Sequence, residues 1–166
     1  MEKIRKASLE DHRAVIDIYN QAIEAGFQTA DTEKITHEEA LNWMRGHLKD
    51  PHPVFVYTID DEVVGWLSIS AYRPGRKALR FTKEVSSYVH KDYRARGIGS
   101  ELLEHALGYC RQHNIRNIFA ILLDCNKASV RTLEKYGFSH WAHLPEVADF
   151  DGQVVGQYYY GRRVNK

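Results

Sequence analysis

The 166-residue chain is poor in the residues that cross-link a fold or divide it into domains. Its two cysteines, Cys110 and Cys125, lie fifteen positions apart and form no C-x-x-C motif. This pattern favours a reduced, cytoplasmic compartment. There are four prolines and no Pro/Gly/Ser-rich stretch long enough to be a linker. We therefore expect a single domain over residues 1–166, a length that can bury a proper core.

The chain also lacks an excess of charge and long apolar runs. Lys plus Arg number 23 and Asp plus Glu 22, so no global charge favours a nucleic-acid or membrane partner. No apolar run approaches the roughly 20 residues that span a bilayer, and the first seven residues show no apolar signal segment. The nine histidines form no H-E-x-x-H motif, and we interpret His140 and His143 as sheet-surface residues. No metal is expected.

Hydrophobic periodicity predicts alternating strands and helices. Ser8–Asp11 and Thr36–Glu39 resemble capping boxes and predict two helix starts. Ile118–Leu123 is an unbroken apolar run, typical of a strand buried on both faces. The predicted order is β-α-α-β-β-β-α-β-α-β-β, which indicates an α/β sheet covered by helices. The remaining predicted strands are Ile4–Ala7, Val54–Ile59, Val63–Ser70, Leu79–Val89, Ser139–Leu144 and Val154–Val164.

The most informative segment is a glycine-containing loop, Arg94–Gly99, between a predicted strand and the predicted helix Ser100–His113. A helix start leaves backbone N–H groups unpaired, and the helix dipole adds positive charge there. Gly97 and Gly99 permit close approach to a ligand, so the loop suits a phosphate or pyrophosphate. Its R-x-x-G-x-G pattern is not a P-loop, and Leu102 stands where a dinucleotide loop has its third glycine.

The chain resembles the GNAT acetyltransferase superfamily, whose acetyl-CoA loop reads [QR]-x-x-G-x-[GA]. Asn126–Ser129, followed by Gly137 and Phe138, resembles a second superfamily motif. Within the superfamily, the phosphinothricin and methionine sulfoximine N-acetyltransferase branch is the most similar. The resemblance implies a mixed, mostly antiparallel sheet flanked by helices. The segments that carry the branch resemblance are Thr29–Glu33, Glu84–Val89, Arg94–Gly99, Asn126–Ser129 and Glu134–Phe138.

The same resemblance implies a binding site for acetyl-CoA as co-substrate. Backbone groups of the strand would pair with the pantetheine arm, and the loop amides would hold the pyrophosphate. It also implies a homodimer and a small-molecule amine as the acceptor. The implied cofactor residues are Ser87, Tyr88, Val89, Arg94, Ala95, Arg96, Gly97, Ile98, Gly99 and Asn126.

Glu84 is the candidate general base, because an acceptor amine must lose a proton before it can attack. An ordinary edge-strand carboxylate is the alternative. Arg80, Thr82 and Glu84 alternate, so a regular strand would place them on one face. We expect Arg80 to hold an acceptor carboxylate, with Thr82 beside it. Many superfamily members carry a tyrosine as general acid where this chain has Leu133, so no general acid is assigned.

Several alternatives stay open at this level. The acceptor could be a protein N-terminus, a lysine or a polyamine, and the chain could be a non-catalytic acyl-CoA sensor. Herbicide-resistance members of the branch carry a Trp-His-Asp run where this chain has Gly152–Gly156, without histidine. The basic cluster Arg73–Arg80 could be a solvated loop or an acceptor-carboxylate site. Tyr158–Tyr160 could stack on a ligand or form a half-buried strand.

Overall fold

One seven-stranded sheet organises the chain, whose residues 2–165 are described by a computed structural model. The strand order is β1-β2-β3-β4-β5-β7-β6, and neighbours run antiparallel except for the parallel pair β4–β5. The predicted class, a mixed and mostly antiparallel sheet, is confirmed. The strands are Glu2–Lys6 (β1), Val54–Ile59 (β2), Glu62–Ala71 (β3), Thr82–Val89 (β4), Asn117–Leu123 (β5), Ser139–Phe150 (β6) and Gln153–Arg163 (β7).

In the described part of the chain, four α-helices cover the sheet: His12–Ala25 (α1), His37–Arg45 (α2), Ile98–Gln112 (α3) and Lys127–Lys135 (α4). Both predicted capping boxes are present. The Ser8 box opens a short 3-10 turn that leads into α1, and the Thr36 box opens α2 directly. Within residues 2–165, no helix is long and apolar enough to cross a membrane.

The sheet separates two hydrophobic clusters because successive side chains of a strand point to opposite faces. On β2, Val54 and Val56 pack with residues of α1 and α2, whereas Phe55 and Tyr57 pack with residues of α3. The α3 side is the larger cluster and also receives Leu133 of α4. The two helix pairs therefore lie on opposite faces, which leaves the ends of the central strands free for a site.

Two predicted strand boundaries are wrong in ways that affect the site. The strand predicted from Leu79 begins at Thr82, because Lys77–Leu79 forms a 3-10 turn that Arg80 ends. Arg80 therefore does not share the regular alternation of β4. The strand predicted to end at Leu144 continues to Phe150, with irregular pairing at two points.

Strand β5 also differs from the expectation that both of its faces are buried. Ile118 and Phe119 are buried, but the three residues from Ala120 to Leu122 are partly exposed. They are exposed because β4 pairs with β5 only as far as Glu84 and Phe119. Beyond that pair the two strands separate, and the apolar run of β5 becomes one wall of a cleft.

Candidate active site

The cleft opens where the two parallel strands diverge. Three residue pairs join them, from Thr82↔Asn117 to Glu84↔Phe119. From Val85 to Val89, β4 is paired with β3 on its other side, but within the described residues its edge facing β5 has no partner strand. An unpaired strand edge can bind an extended polar chain as an additional strand. Here it lies in the middle of the sheet rather than at its rim.

A cavity of about 440 Å³ fills this opening. Nine of the ten cofactor residues predicted from the sequence line it, and Arg96 is the exception. The Arg96 guanidinium instead donates to the Asp92 carbonyl oxygen at 3.3 Å and lies over the Tyr93 ring at 5.0 Å. The structure therefore gathers strand, loop and helix-cap residues that are up to 39 positions apart, from Ser87 to Asn126, around one cavity.

The loop Arg94–Gly99 presents its backbone to the cavity. Within the described residues, the amides from Arg94 to Ser100 donate no hydrogen bond to the protein. Ala95 (φ 60°) and Gly97 (φ 83°) adopt left-handed conformations, which turn successive N–H groups toward one side and form an anion nest. The first turn of the 15-residue helix α3 follows directly and adds its dipole. This arrangement fits a pyrophosphate without further groups.

The space that a side chain at Gly99 would occupy is not filled by other protein atoms. A Cβ at this position would meet only a Val89 methyl group, at an ordinary 3.9 Å. The fold alone therefore does not require glycine there, whereas a ligand lying against the loop would. Gly97 is different, since its left-handed φ disfavours any other residue.

Asn126 caps helix α4 at the other wall of the cleft. Its Oδ1 accepts the Ser129 amide at 3.3 Å, as the sequence predicts for an N-cap. Within the described residues its Nδ2 group makes no hydrogen bond, and the residue lines the cavity. The Asn126 side chain thus caps the helix with its Oδ1 and keeps its Nδ2 group available to donate to a ligand.

Glu84 lies at the fork of the cleft, in the last residue pair before β4 and β5 separate. It is half-buried, and burial raises the pKa of its carboxyl group above the usual range. No side chain within the described residues donates a hydrogen bond to it. An unpaired carboxylate with a raised pKa can accept a proton near neutral pH.

Aromatic rings line the face of the sheet beside Glu84. The Phe119 ring lies 4.7 Å from that of Tyr72 and stacks on that of Tyr159 at 5.5 Å. Burial raises the pKa of Tyr159, and the nearby negative charge of Glu84 raises it further, whereas the positive charge of Arg73 opposes the shift. Tyr72 and Phe119 were not predicted as site residues, and Tyr159 was considered only as part of a tyrosine run, because the three rings come from three separate strands or strand ends.

The tyrosine run on β7 forms the half-buried strand that was one of the two alternatives, and stacking on a ligand stays a prediction. Tyr160 is 7% exposed and belongs to the core on the α3 side. Tyr159 points to the opposite face and stacks on Phe119. The rings of Tyr72, Phe119 and Tyr159 are called here the aromatic wall. Alternation along one strand thus assigns adjacent tyrosines to different roles.

The predicted substrate residues are less well placed. The Arg80 side chain is exposed, donates to the Lys77 carbonyl oxygen at 2.9 Å and lies over the Phe81 ring at 4.2 Å. Thr82 is on β4, and its hydroxyl accepts a hydrogen bond from the Asn117 side chain at 3.3 Å. The structural premise for Arg80, a place on the Glu84 face of β4, is wrong. A contact of either residue with an acceptor stays a prediction.

Leu133 faces the cavity from α4 and is 7% exposed. Tyr136 lines a separate, open groove along β6 and β7. That groove is larger, about 680 Å³, but it contains none of the residues predicted for the site. Tyr136, which directly follows α4, is therefore not positioned as a substitute for a proton donor at Leu133.

The connection between α1 and α2 lies beside Tyr88, which shares a face of β4 with Glu84. Gln28 lines the cavity, and the hydroxyl group of Tyr19 contacts the side chains of Thr29 and Asp31. The Tyr19 ring packs edge-on against Tyr88 at 4.9 Å. The Thr29–Glu33 segment singled out in the sequence thus lies next to β4.

Comparison with known proteins agrees with this geometry. The family model described as "Acetyltransferase (GNAT) family" matches residues 13–138. The Bacillus subtilis protein YwnH is 36% identical over 165 residues, which cover 98% of this chain and 99% of that protein. The phosphinothricin N-acetyltransferase of Streptomyces coelicolor is 29% identical, with 95% and 91% covered.

Two further similarities concern Salmonella typhimurium proteins. Its L-methionine sulfoximine/L-methionine sulfone acetyltransferase is 28% identical, covering 87% of this chain and 84% of its own length. The structure of yncA, solved with its cofactor acetyl-CoA, superposes with a TM-score of 0.93 at 25% identity and covers 99% of this chain and 95% of that one. Both the fold and the branch expected from the sequence are confirmed.

Proposed function

Because this chain belongs to the acetyltransferase (GNAT) family, we propose that it transfers acetyl from acetyl-CoA to the amine of a small amino-acid-like acceptor. Acceptors of the phosphinothricin or methionine sulfoximine type are favoured, since relatives with those names align over most of the chain. The observation that carries the proposal is the cleft itself. An unpaired strand edge and an amide nest line one cavity, and the half-buried carboxylate of Glu84 lies at the fork of the two strands that bound it.

Acetyl-CoA fits the chain's own groups. The nest at Arg94–Gly99 supplies free amides for the pyrophosphate, and the edge of β4 from Val85 to Val89 supplies strand-like partners for the amides of the pantetheine arm. The Asn126 side chain would contact the cofactor near its reactive end. When bound, acetyl-CoA supplies an activated acetyl group on a thiol whose thiolate is a tolerable leaving group.

Glu84 has the properties of the proton acceptor. The acceptor amine arrives mainly as an ammonium ion and must be deprotonated before attack. Burial raises the pKa of Glu84 toward neutrality, so the carboxylate can take this proton directly or through a water. A backbone N–H from Ser87 to Val89 is the proposed donor to the developing oxyanion.

The charges around Glu84 favour a carboxylate-bearing acceptor. Arg73 directly follows Tyr72, whose ring packs against that of Phe119, and Phe119 is the cross-strand partner of Glu84. An amino acid carries a carboxylate and an amine a few ångströms apart, and arginine is a natural partner for the former. Of the two candidate guanidinium groups, this position favours Arg73 over Arg80. A polyamine would instead require an acidic groove.

A thiol-release screen tests the proposal. Acetyl-CoA is offered with amino acids, phosphinothricin, methionine sulfoximine, polyamines and peptides, and we expect release with carboxylate-bearing small amines. Preferred release with polyamines or peptides would support the alternative acceptors. If the protein binds acetyl-CoA but releases no thiol with any of these amines, it is an acyl-CoA sensor and not an enzyme for these acceptors.

Two further expectations accompany this function. The branch implies a homodimer, which light scattering coupled to gel filtration would detect, and a monomer at assay concentrations would contradict it. The two cysteines are free, Cys110 buried and Cys125 exposed, which suits the reducing cytoplasm that we propose as the site of action.

A further inference from the structure

The segment 27–35, called here the 27–35 loop, has no backbone framework of its own. Within the described residues, none of its N–H or C=O groups forms a backbone–backbone hydrogen bond. Helix α1 ends at Ala25 and α2 begins after Thr36, so neither helix extends into it. A loop of this kind keeps one conformation only through side-chain contacts.

Two of these contacts come from helix α1. The Asn20 side chain pairs with both backbone groups of Ile35, donating to its carbonyl oxygen and accepting from its N–H, each at 2.9 Å. The Tyr19 hydroxyl contacts Thr29 and Asp31. These contacts hold the middle and the end of the loop against the helix that precedes it.

The start of the loop is held from a distant part of the chain. The Phe27 ring packs against the Phe150 ring, with centroids 4.7 Å apart. Phe150 is the last residue of β6, at the tip of the β6–β7 hairpin. Strand β7 pairs with β5 only from Gln157 onward, so this tip extends beyond the body of the sheet. The ring contact therefore joins two projecting elements.

The backbone at Phe27 shows that its position is imposed from outside the loop. Its φ is 58°, in the left-handed region that a bulky residue adopts rarely. Such conformations persist where surrounding contacts over-determine them. The next residue, Gln28, lines the cleft cavity. The packing of Phe27 therefore determines where Gln28 lies relative to the cleft.

We propose that the Phe27–Phe150 contact is a latch that holds the 27–35 loop beside Tyr88, on the face of β4 that Tyr88 shares with Glu84. Phe150 is then a positioning residue, since it sets acceptor affinity through Phe27 and the loop. This inference rests on the proposed function, because it requires the acceptor to bind on the Glu84 face of β4. It predicts a larger effect on the acceptor than on acetyl-CoA, although Gln28 also lines the cavity of the proposed cofactor residues.

Kinetics of Phe150→Ala test the latch. We expect the KM for the acceptor to rise by about tenfold or more, with kcat changed by less than about threefold, the pattern of lost binding rather than lost chemistry. The Kd for acetyl-CoA should change by less than about threefold, because only Gln28 of the loop lines the cofactor cavity within the described residues. Phe150→Leu, which keeps an apolar contact, should restore most of the affinity. Val147→Ala is the control, since Val147 is on the same strand and 52% exposed.

Hydrogen exchange supplies a readout independent of turnover. In Phe150→Ala, the amides of Asp31 and Ile35, which donate hydrogen bonds to side chains, should exchange faster while those of α1 and β4 keep their protection. Phe27→Ala combined with Phe150→Ala should be no worse than either single change, because one contact is lost in all three.

Wild-type exchange and wild-type KM in Phe150→Ala would overturn the latch, and so would additive effects of the two changes. If Phe150→Ala does not fold, the same comparison is made with Phe150→Leu and Phe27→Leu, where unchanged exchange and KM again overturn it. A wild-type protein that acetylates no amine contradicts the proposed function instead, and the exchange comparison then judges the latch alone.

Discussion

The two halves of the cleft are built from different chemistry. The proposed cofactor half uses backbone: the free amides of Arg94–Gly99 and the unpaired edge of β4. The proposed acceptor half uses side chains: Glu84, the aromatic rings around Phe119 and the 27–35 loop. Backbone sites depend on a few glycines and a helix start, so they appear in a short motif. Side-chain sites depend on which strands and loops meet, so their residues are dispersed.

The largest effect should follow from disturbing the backbone half at Gly97. Gly97→Val places a β-branched residue at φ 83°, where it cannot keep the nest geometry. No atom lies within 4 Å of a Cβ there, so the fold should survive. We expect loss of acetyl-CoA binding of at least about 100-fold. Calorimetry measures it, and unchanged affinity in the folded variant would contradict the cofactor site.

Glu84→Gln tests the chemical step at the junction of the two halves. We expect kcat to fall by about 100-fold, the usual scale for loss of a general base, with acetyl-CoA affinity unchanged. The wild-type rate should rise with pH through the raised pKa of Glu84, because only the carboxylate accepts the proton. This acid limb should be absent in the variant. A variant with wild-type turnover would show that another group or water takes the proton.

A paired substitution separates the two guanidinium candidates in the acceptor half. Loss of a charged contact to the acceptor carboxylate in Arg73→Ala should raise the KM for that acceptor by about tenfold or more, with little change for acetyl-CoA. Arg80→Ala is the matched control, since its side chain is exposed and bound to its own turn. A decarboxylated acceptor should be insensitive to Arg73→Ala. The reverse order of the two variants would restore the assignment to Arg80.

Tyr136→Phe should change turnover by less than about threefold. Loss of a general acid would instead lower turnover by about tenfold or more, which corresponds to about 1.4 kcal/mol in the activation barrier. The reason is positional, because Tyr136 lies in the groove along β6 and β7 and Leu133 faces the cleft. Steady-state kinetics across alkaline pH give the comparison. A tenfold loss would mean that Tyr136 reaches the cleft as an acid during the reaction.

The smallest effect concerns stability. A carboxyl group with a raised folded pKa binds its proton more tightly in the native state, so its contribution to stability is lost as pH rises above that pKa. Glu84→Gln removes this cost at neutral pH and should raise Tm by about 2 °C or more, with less gain at pH 4. Scanning calorimetry at both pH values measures the difference. A lower Tm at pH 7 would mean that the carboxylate is paired in the native state.

Much of the backbone half could be predicted from the sequence. Arg94–Gly99 combines spaced glycines with a helix start, and Asn126 caps a helix in the way its neighbours indicate. Both features arise from contacts within a few residues. The strand predicted from Leu79 was wrong because the alternation of Arg80 with Thr82 also occurs in a turn followed by a strand.

By itself, the sequence determined the order of elements, the anion-binding loop, the family and the identity of the candidate base. Local propensity, capping and motif spacing act over a few residues, so they are visible without a fold. Only the tertiary structure decided where β4 and β5 part, which rings surround Glu84 and that Phe150 meets Phe27. Those contacts join residues up to 123 positions apart, from Phe27 to Phe150, and depend on strand order and hairpin length.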